Sequence, residues 1–248
     1  MLRSINEMKG FVIAAIDGEI GQCKDFLFDD RHWVTRYMVV DTRKWLPGRK
    51  VLVSPIALGK PDWEARSFPV QLTCQQIKES PSLDEDAPVS RQYESSWFDY
   101  YGWPYYWFGG GMWGATPYPT ALFLKRLEKV VEKGLEPEES HLRSVNEVTG
   151  YQILSKDGKV GHAEDFLVEE ETWVLRYIVI NIHNGLPHRK VLVAPTWVTW
   201  VDWISMQIRI ELTTEAVKES LEYDPSILVD RSYEARLHEQ HGRVNNRE

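Results

Sequence analysis

Residues 10–41 read GFVIAAIDGEIGQCKDFLFDDRHWVTRYMVVD, and residues 150–181 read GYQILSKDGKVGHAEDFLVEEETWVLRYIVIN. The similarity extends in both directions without a gap. Residues 2–94 align with residues 142–234 at a constant offset of 140, and roughly two fifths of the aligned positions are identical. A period this long is typical of a repeated domain rather than of a solenoid unit, so each copy must close its own core. The sequence therefore predicts a tandem duplication of one small domain.

Each copy alternates short apolar runs with turn residues, a pattern typical of a small β-barrel or sandwich. Asp17-Gly18 predicts a two-residue hairpin turn, because glycine tolerates the positive φ of a type I′ turn. Each copy then ends in a short helix, capped by Thr73 in the first copy and by Thr213 or Thr214 in the second. The strands predicted in the first copy, whose order the second copy repeats, are residues 11–16, 20–28, 33–41, 50–54 and 65–72.

The segment between the copies has a different character. Ten of the seventeen residues from Trp97 to Trp113 are aromatic, and residues 100–124 include no charged side chain. A membrane span is not expected here, because glycines and prolines interrupt the segment and would leave backbone groups unpaired in lipid. An amphipathic helix is predicted to follow, from Thr120 to Lys133.

Composition limits the class of protein. The net charge of -8 and the isoelectric point near 5.5 argue against a nucleic-acid partner, because nucleic-acid footprints are usually basic. Cys23 and Cys74 align with Ala163 and Thr214, so a disulfide framework is not expected. The first ten residues lack the apolar region of a secretory signal, and we expect a bacterial-type cytoplasmic protein. The predicted domains are residues 1–94 and 142–234, with an aromatic linker and amphipathic helix at 95–141 and a polar tail at 235–248.

The motifs that occur twice resemble the PRC-barrel domain. They are Asp17–Gly21, Asp25-Phe26-Leu27, Arg36-Tyr37 within residues 33–41, and the WLPGRKVL run of residues 45–52. The second copy has their counterparts in the same order, the last as LPHRKVL at residues 186–192. This family includes the cytoplasmic domain of the photosynthetic reaction-centre H subunit and the C-terminal domain of a ribosome maturation factor. The resemblance implies a mainly β fold with two tandem small, strongly bent barrels, joined by the aromatic Gly/Pro-rich linker and short helices, and used as docking modules.

Arg36 and Arg176 are the strongest chemical candidates, because each lies in an otherwise apolar strand. A charge in a half-buried strand needs a counter-ion or hydrogen bonds, and Asp25 and Asp165 are the candidate partners. The favoured interpretation is a structural salt bridge in each copy. The alternative is an anionic ligand held by arginine.

Metal sites are a weaker hypothesis. His183 and His188 are candidate ligands, as are Asp29, Asp30 and residues 169–171, but solvated loop residues explain them better and no tight Cys/His cluster supports them. We expect neither a metal nor a cofactor.

The aromatic linker has two interpretations. Its rings can form a packed satellite core, or they can form an exposed contact surface for a protein partner or a membrane interface. The candidate contact residues are Trp97, Tyr101, Trp103, Tyr105, Tyr106, Trp107, Phe108 and Trp113.

The sequence has no nucleophile elbow, P-loop or dinucleotide fingerprint, so an enzyme is not expected. We expect a non-catalytic structural or interaction module that docks to a protein partner, with a homo-oligomer as a further candidate assembly. The alternative is a membrane-peripheral accessory of a photosynthetic reaction-centre or electron-transfer complex, at the cytoplasmic side of the inner membrane.

Overall fold

The computed structural model describes residues 1–42, 45–84, 86–124, 140–182 and 189–242. The chain divides into two compact units. Unit 1 comprises Met1–Glu7, Val145–Glu170 and Val174–Glu248, and unit 2 comprises Met8–Ser144 and Glu171–Trp173.

The first copy and the linker contribute ten elements. They are β1 (Leu2–Ser4), α1 (Ile5–Met8), β2 (Val12–Ala15), β3 (Gly18–Asp29), β4 (Val34–Asp41), β5 (Val51–Val53), β6 (Ser67–Pro69), α2 (Cys74–Glu79), α3 (Arg91–Tyr101) and α4 (Pro119–Leu124). The second copy repeats this order and adds one strand and one 3-10 turn. Its elements are β7 (Leu142–Ser144), α5 (Val145–Val148), β8 (Gln152–Leu154), β9 (Lys159–Glu169), β10 (Leu175–Ile182), β11 (Arg189–Val193), a 3-10 turn (Pro195–Trp197), β12 (Val198–Asp202), β13 (Gln207–Ile210), α6 (Thr214–Glu219) and α7 (Arg231–Gln240).

Each unit is organised around one sheet. In unit 2 the strand order is β5-β4-β3-β2-β6, and in unit 1 it is β11-β10-β9-β8-β13-β12. The β2/β6 and β8/β13 pairs are parallel, and the other pairs are antiparallel. Within the described residues neither strand path returns to its starting strand. The two sheets and the short helices confirm the mainly β class. Because no closed sheet is seen in the described part of the chain, the barrel stays a prediction.

The first strand of each copy pairs outside its own copy. β1 pairs with β9 in unit 1, with Arg3 opposite Val168, and β7 pairs with β3 in unit 2, with Arg143 opposite Phe28. The two copies therefore exchange their N-terminal strands. A duplication read only as two consecutive domains does not predict this exchange.

The predicted Asp17-Gly18 turn is displaced by one residue. Ala15 pairs with Gly18, so the two turn residues are Ile16 and Asp17, and Gly18 begins β3 without a left-handed φ. Asp17 has another role, because its Oδ1 accepts a hydrogen bond from the backbone N of Cys74 at the start of α2. Helix N-termini favour negative charge and leave backbone donors free, which accounts for this placement.

Gly21 and Gly161 are required by a close approach of two strands. A Cβ at Gly21 would lie 2.2 Å from the carbonyl oxygen of Asp41, and a Cβ at Gly161 would lie 2.0 Å from that of Asn181. No side chain fits at such distances. Both copies therefore need glycine at this position, because β3 lies too close to β4, and β9 too close to β10, for any side chain.

Several predicted boundaries differ from the structure. The strand predicted at residues 65–72 is only the three-residue β6, which lies at the end of its sheet path, where a proline is tolerated. The predicted boundaries after residues 94 and 234 fall inside α3 and α7. The helix predicted from Thr120 begins at Pro119, and its portion beyond Leu124 lies outside the described residues. Among the described residues, no helix combines the length and the apolar character that crossing a membrane requires.

Candidate interaction site

Asp25 and Asp165 anchor the exchanged strands. The Ser144 hydroxyl of β7 donates to Asp25 Oδ2 at 2.5 Å, and the Ser4 hydroxyl of β1 donates to Asp165 Oδ2 at 2.5 Å. The backbone N of Asn6 also donates to Asp165 Oδ1, at 3.1 Å. The sequence predicts that these carboxylates pair with the strand arginines. The structure instead uses them to hold the N-terminal strand of the other copy.

Arg36 is almost fully buried, with 2% of its surface exposed, and its carboxylate partner is Asp29 rather than Asp25. Its Nη2 donates to Asp29 Oδ2 at 3.0 Å, and its Nη1 donates to the carbonyl oxygen of Met112. The guanidinium carbon lies 4.0 Å from the ring centroid of Tyr106 and 4.8 Å from that of Trp113. A desolvated cation between two electron-rich rings is stabilised by cation–π attraction in addition to its ion pair.

The ionisation of Asp29 depends on these contacts. Burial disfavours the charged carboxylate, but the Arg36 charge and hydrogen bonds from His32, Arg36 and Arg31 outweigh it and lower the pKa of Asp29. Asp29 therefore carries its negative charge at neutral pH.

The residues that cover Arg36 come from the aromatic segment. We call residues 102–118 the aromatic insert. It begins where Gly102 ends α3 in a left-handed conformation, with φ of 67°. The Trp113 indole N donates to the carbonyl oxygen of Thr172 at 2.7 Å, which fixes the ring within unit 2. The insert is thus a lid of aromatic rings and one carbonyl group over the strand arginine.

The eight aromatic side chains predicted as contact residues are buried or partly buried. Tyr101 stacks on Trp103 at 4.7 Å between ring centroids, and Tyr105 stacks on Trp107 at 4.6 Å. None of the eight is fully exposed, so they do not form an open contact surface in this conformation. The buried rings are Trp97, Tyr101, Trp103, Tyr106 and Trp113, and the partly buried rings are Tyr105, Trp107 and Phe108.

Glu94 is a buried carboxylate whose importance the sequence analysis missed. Its Oε1 accepts hydrogen bonds from the hydroxyl groups of Tyr37 at 3.0 Å and Tyr106 at 2.7 Å, and Arg91 Nη1 donates to its Oε2 at 2.8 Å. Burial raises the pKa of Glu94, although Arg91 and the two tyrosines oppose that effect. The signal in the sequence is an Arg-x-Tyr-Glu motif that occurs in both copies, at residues 91–94 and 231–234, and Glu234 is buried like Glu94.

Arg176 occupies the position equivalent to Arg36 but has different surroundings. Its side chain is only partly buried, and within the described residues no hydrogen bond or ion pair holds its guanidinium. The described part of the second copy also contains no segment that corresponds to the aromatic insert. The structural salt bridge predicted for both copies is therefore found for Arg36, with a different partner, and not found for Arg176 among these residues.

A buried histidine lies near Arg176. Tyr177 places its hydroxyl 3.1 Å from His238 Nε2, while His238 Nδ1 is buried and has no hydrogen-bond partner in the part of the chain that the structure describes. Burial, followed by the charges of Arg176 and His241, lowers the pKa of His238. Arg176 and His238 therefore bring to the same region of unit 1 a guanidinium and a ring nitrogen that no described residue binds.

The candidate metal ligands that the structure describes make other contacts. Asp29 pairs with Arg36, and Asp30 Oδ2 accepts from Arg143 Nε at 3.0 Å. His183 and His188 lie outside the described residues. Among the residues that are described, no group of three or more His, Cys, Asp or Glu side chains is placed to hold a metal ion.

Comparison with known proteins adds no family. No protein-family model and no curated protein matches this chain.

Proposed function

We propose that this chain is a non-catalytic tandem PRC-barrel module that docks a protein partner. The repeated motifs support the family, and the strand order shared by the two sheets supports equivalent folds in both copies. Small β-rich scaffolds of this kind place rigid strands beneath a binding surface, and in this proposal neither copy performs chemistry.

The single observation that carries the proposal is the difference between Arg36 and Arg176. In unit 2 the arginine is sealed by Asp29, the Met112 carbonyl group and two aromatic rings. In unit 1 the equivalent arginine is partly accessible, and no described residue binds it. The first copy thus contains its own occupant of this site, and the second copy offers the same site to another chain.

The aromatic insert that covers Arg36 indicates which chemical groups a partner would present to Arg176. The insert provides a main-chain carbonyl oxygen and ring faces to a guanidinium, and Arg36 uses both. Arginine and aromatic residues are enriched at protein interfaces, and buried arginine anchors are frequent hot spots. We therefore expect the partner to present an aromatic segment with a free carbonyl or carboxylate oxygen to Arg176.

Affinity capture with the intact chain tests the proposal. Wild-type protein and the Arg176→Met variant are immobilised, and proteins retained from a native lysate are quantified by mass spectrometry. We expect at least one protein to be retained by wild type and reduced about tenfold or more by Arg176→Met, the effect of losing a hot-spot arginine. Arg231→Met, which removes an exposed arginine from α7 of the same unit, is the matched control and should retain that protein. Equal retention by Arg176→Met and wild type would contradict the proposal.

A further inference from the structure

The turn between β12 and β13 carries apolar side chains into solvent. Ile204 is 94% exposed, Met206 is 60% exposed, and Trp200 on β12 is 48% exposed. We call Trp200, Trp203, Ile204, Ser205 and Met206 the hairpin tip. Large apolar side chains that cluster on a surface mark interaction sites more often than chance exposure does.

The first copy shows that the turn itself does not require these residues. Asp202 Oδ1 accepts hydrogen bonds from the backbone N atoms of Ile204 and Ser205, both at 3.0 Å. Asp62 Oδ1 makes the same two bonds in the first copy, at 3.0 and 2.9 Å. The left-handed residue is also shared, with φ of 50° at Arg66 and 54° at Met206.

The side chains at and next to this turn are charged in the first copy and apolar in the second. Lys60, Glu64 and Arg66 of the first copy are replaced by Trp200, Ile204 and Met206 in the second. Glu64 and Arg66 lie on the shared turn, whereas Trp200 lies on β12, a strand without a counterpart among the described residues of the first copy. Since the turn forms with either pair of side chains, its geometry does not account for the exposed Ile204 and Met206.

The shape of the tip favours a fluid layer over a protein surface. An isoleucine that is 94% exposed projects from the unit with almost nothing packed around it. A stable protein interface uses about 20 to 30 residues on each side, far more than this tip provides. A lipid headgroup layer, in contrast, closes around a small projection and buries its apolar surface completely.

The polar groups of the tip set the depth of contact. Asp202 satisfies two backbone donors of the turn, which lowers the cost of moving them away from water. Hydrogen bonds from Ser205 and Ile204 also lower the pKa of Asp202, so its carboxylate remains charged and must stay among the headgroups. Trp203 packs against Tyr151, with ring centroids 6.2 Å apart, and Arg209 is exposed on β13 opposite Trp200. Tryptophan and arginine both favour the membrane–water interface.

We propose that the hairpin tip inserts Ile204 and Met206 shallowly into the surface of a lipid bilayer, with Trp200 at the level of the headgroups. Because the chain carries a net charge of -8, attraction to anionic lipid does not drive the contact. Burial of apolar surface drives it, and neutral bilayers suffice. This inference stands independently of the protein-docking proposal, since it uses a different element of unit 1.

Flotation with vesicles of pure phosphatidylcholine tests it. Wild-type protein should float with the vesicles, and the bound fraction should change little when salt is raised, because apolar burial is not screened. The double variant Ile204→Glu/Met206→Arg, which restores the residues of the first copy, should lower the partition coefficient about tenfold or more. Full burial of one aliphatic side chain corresponds to a factor of about ten to a hundred.

Two controls keep the result interpretable. The substituted residues already occur on an identical turn in this chain, so circular dichroism and the melting temperature should not change. Ile227→Glu/Leu228→Arg alters two other exposed apolar residues of unit 1 and should leave vesicle binding intact.

Three outcomes would overturn the inference. They are a failure of wild type to bind neutral vesicles, equal binding by the tip variant, and binding that requires anionic lipid and disappears in high salt. Concentration-dependent dimerisation that the tip variant abolishes, with no vesicle binding, would identify a second copy of the chain as the occupant instead.

Discussion

Arg36 and Arg176 stand at the same place in two copies of one domain, yet one is enclosed and the other is not. Arg36 lies between Tyr106 and Trp113 and pairs with Asp29. No described residue binds the guanidinium of Arg176, and none gives the buried Nδ1 of the neighbouring His238 a hydrogen bond. A residue kept by both copies is thus not a residue with one role, because its role depends on the segment that covers it.

The largest expected difference between the copies is in stability. Arg36→Met would leave the buried Asp29 carboxylate without its counter-ion, which costs about 3 to 5 kcal/mol of unfolding free energy. Arg176→Met removes no described ion pair and should cost about 1 kcal/mol or less. Urea unfolding of both variants measures the comparison. Equal losses would show that the two sites are alike.

Removing the cover should have an effect of similar size. Trp113 is fully buried, so Trp113→Ala should cost about 3 to 5 kcal/mol through lost contacts and the cavity left behind. Tyr118, which is 43% exposed, is the matched control, and Tyr118→Ala should cost about 0.5 kcal/mol or less. Thermal unfolding followed by near-ultraviolet circular dichroism reports both. A small loss for Trp113→Ala would mean that the insert does not pack on the strands of unit 2.

Acid should weaken the Arg36–Asp29 pair less than mutation does, because a protonated Asp29 still accepts hydrogen bonds. The pKa of Asp29 is lowered below its ordinary value of 3.8, so its contribution to stability is present above that value. The contribution is lost as the pH falls through the lowered pKa. The stability difference between wild type and Asp29→Asn should therefore be constant from about pH 7 to about pH 4 and should shrink at lower pH. A difference that grows in acid would contradict this sign.

The smallest expected effect concerns the helix caps. Thr73 caps α2 by accepting a hydrogen bond from the backbone N of Gln76, and the Gln76 side chain accepts one from the backbone N of Thr73. Thr213 caps α6 in the same way, but the equivalent residue, Ala216, has no side chain that could accept the second bond. Thr73→Ala should cost about 1 kcal/mol, and Thr213→Ala should cost somewhat less. Melting temperatures of the two variants measure the difference. A greater loss for Thr213→Ala would show that the side chain of Gln76 adds nothing.

Local patterns predicted local structure well. The β-rich order, the cap at Thr73 and the exceptional character of the aromatic insert follow from periodicity and composition, and the structure selects Thr213 from the two candidate caps of α6. The Asp17-Gly18 turn was displaced by one residue, because Asp17 is positioned by the N-terminus of α2, which lies far away in sequence.

Long-range relations were not predictable from one sequence. The exchange of β1 and β7 depends on which sheet edge each strand reaches, and no local propensity encodes that choice. Asp25 was therefore assigned to Arg36, when it binds Ser144 of the exchanged strand. The apolar hairpin tip was visible as a substitution between the copies, but its exposure required the structure.

Arginine-selective chemical labelling of the intact protein tests the central claim most directly. Phenylglyoxal modifies accessible guanidinium groups, and peptide mass spectrometry gives the rate at each arginine separately. We expect Arg176 to react much faster than Arg36, and Trp113→Ala to raise the rate at Arg36 without changing the rate at Arg176. Equal rates at the two arginines in the wild-type protein would contradict the claim that one copy is covered and the other is open.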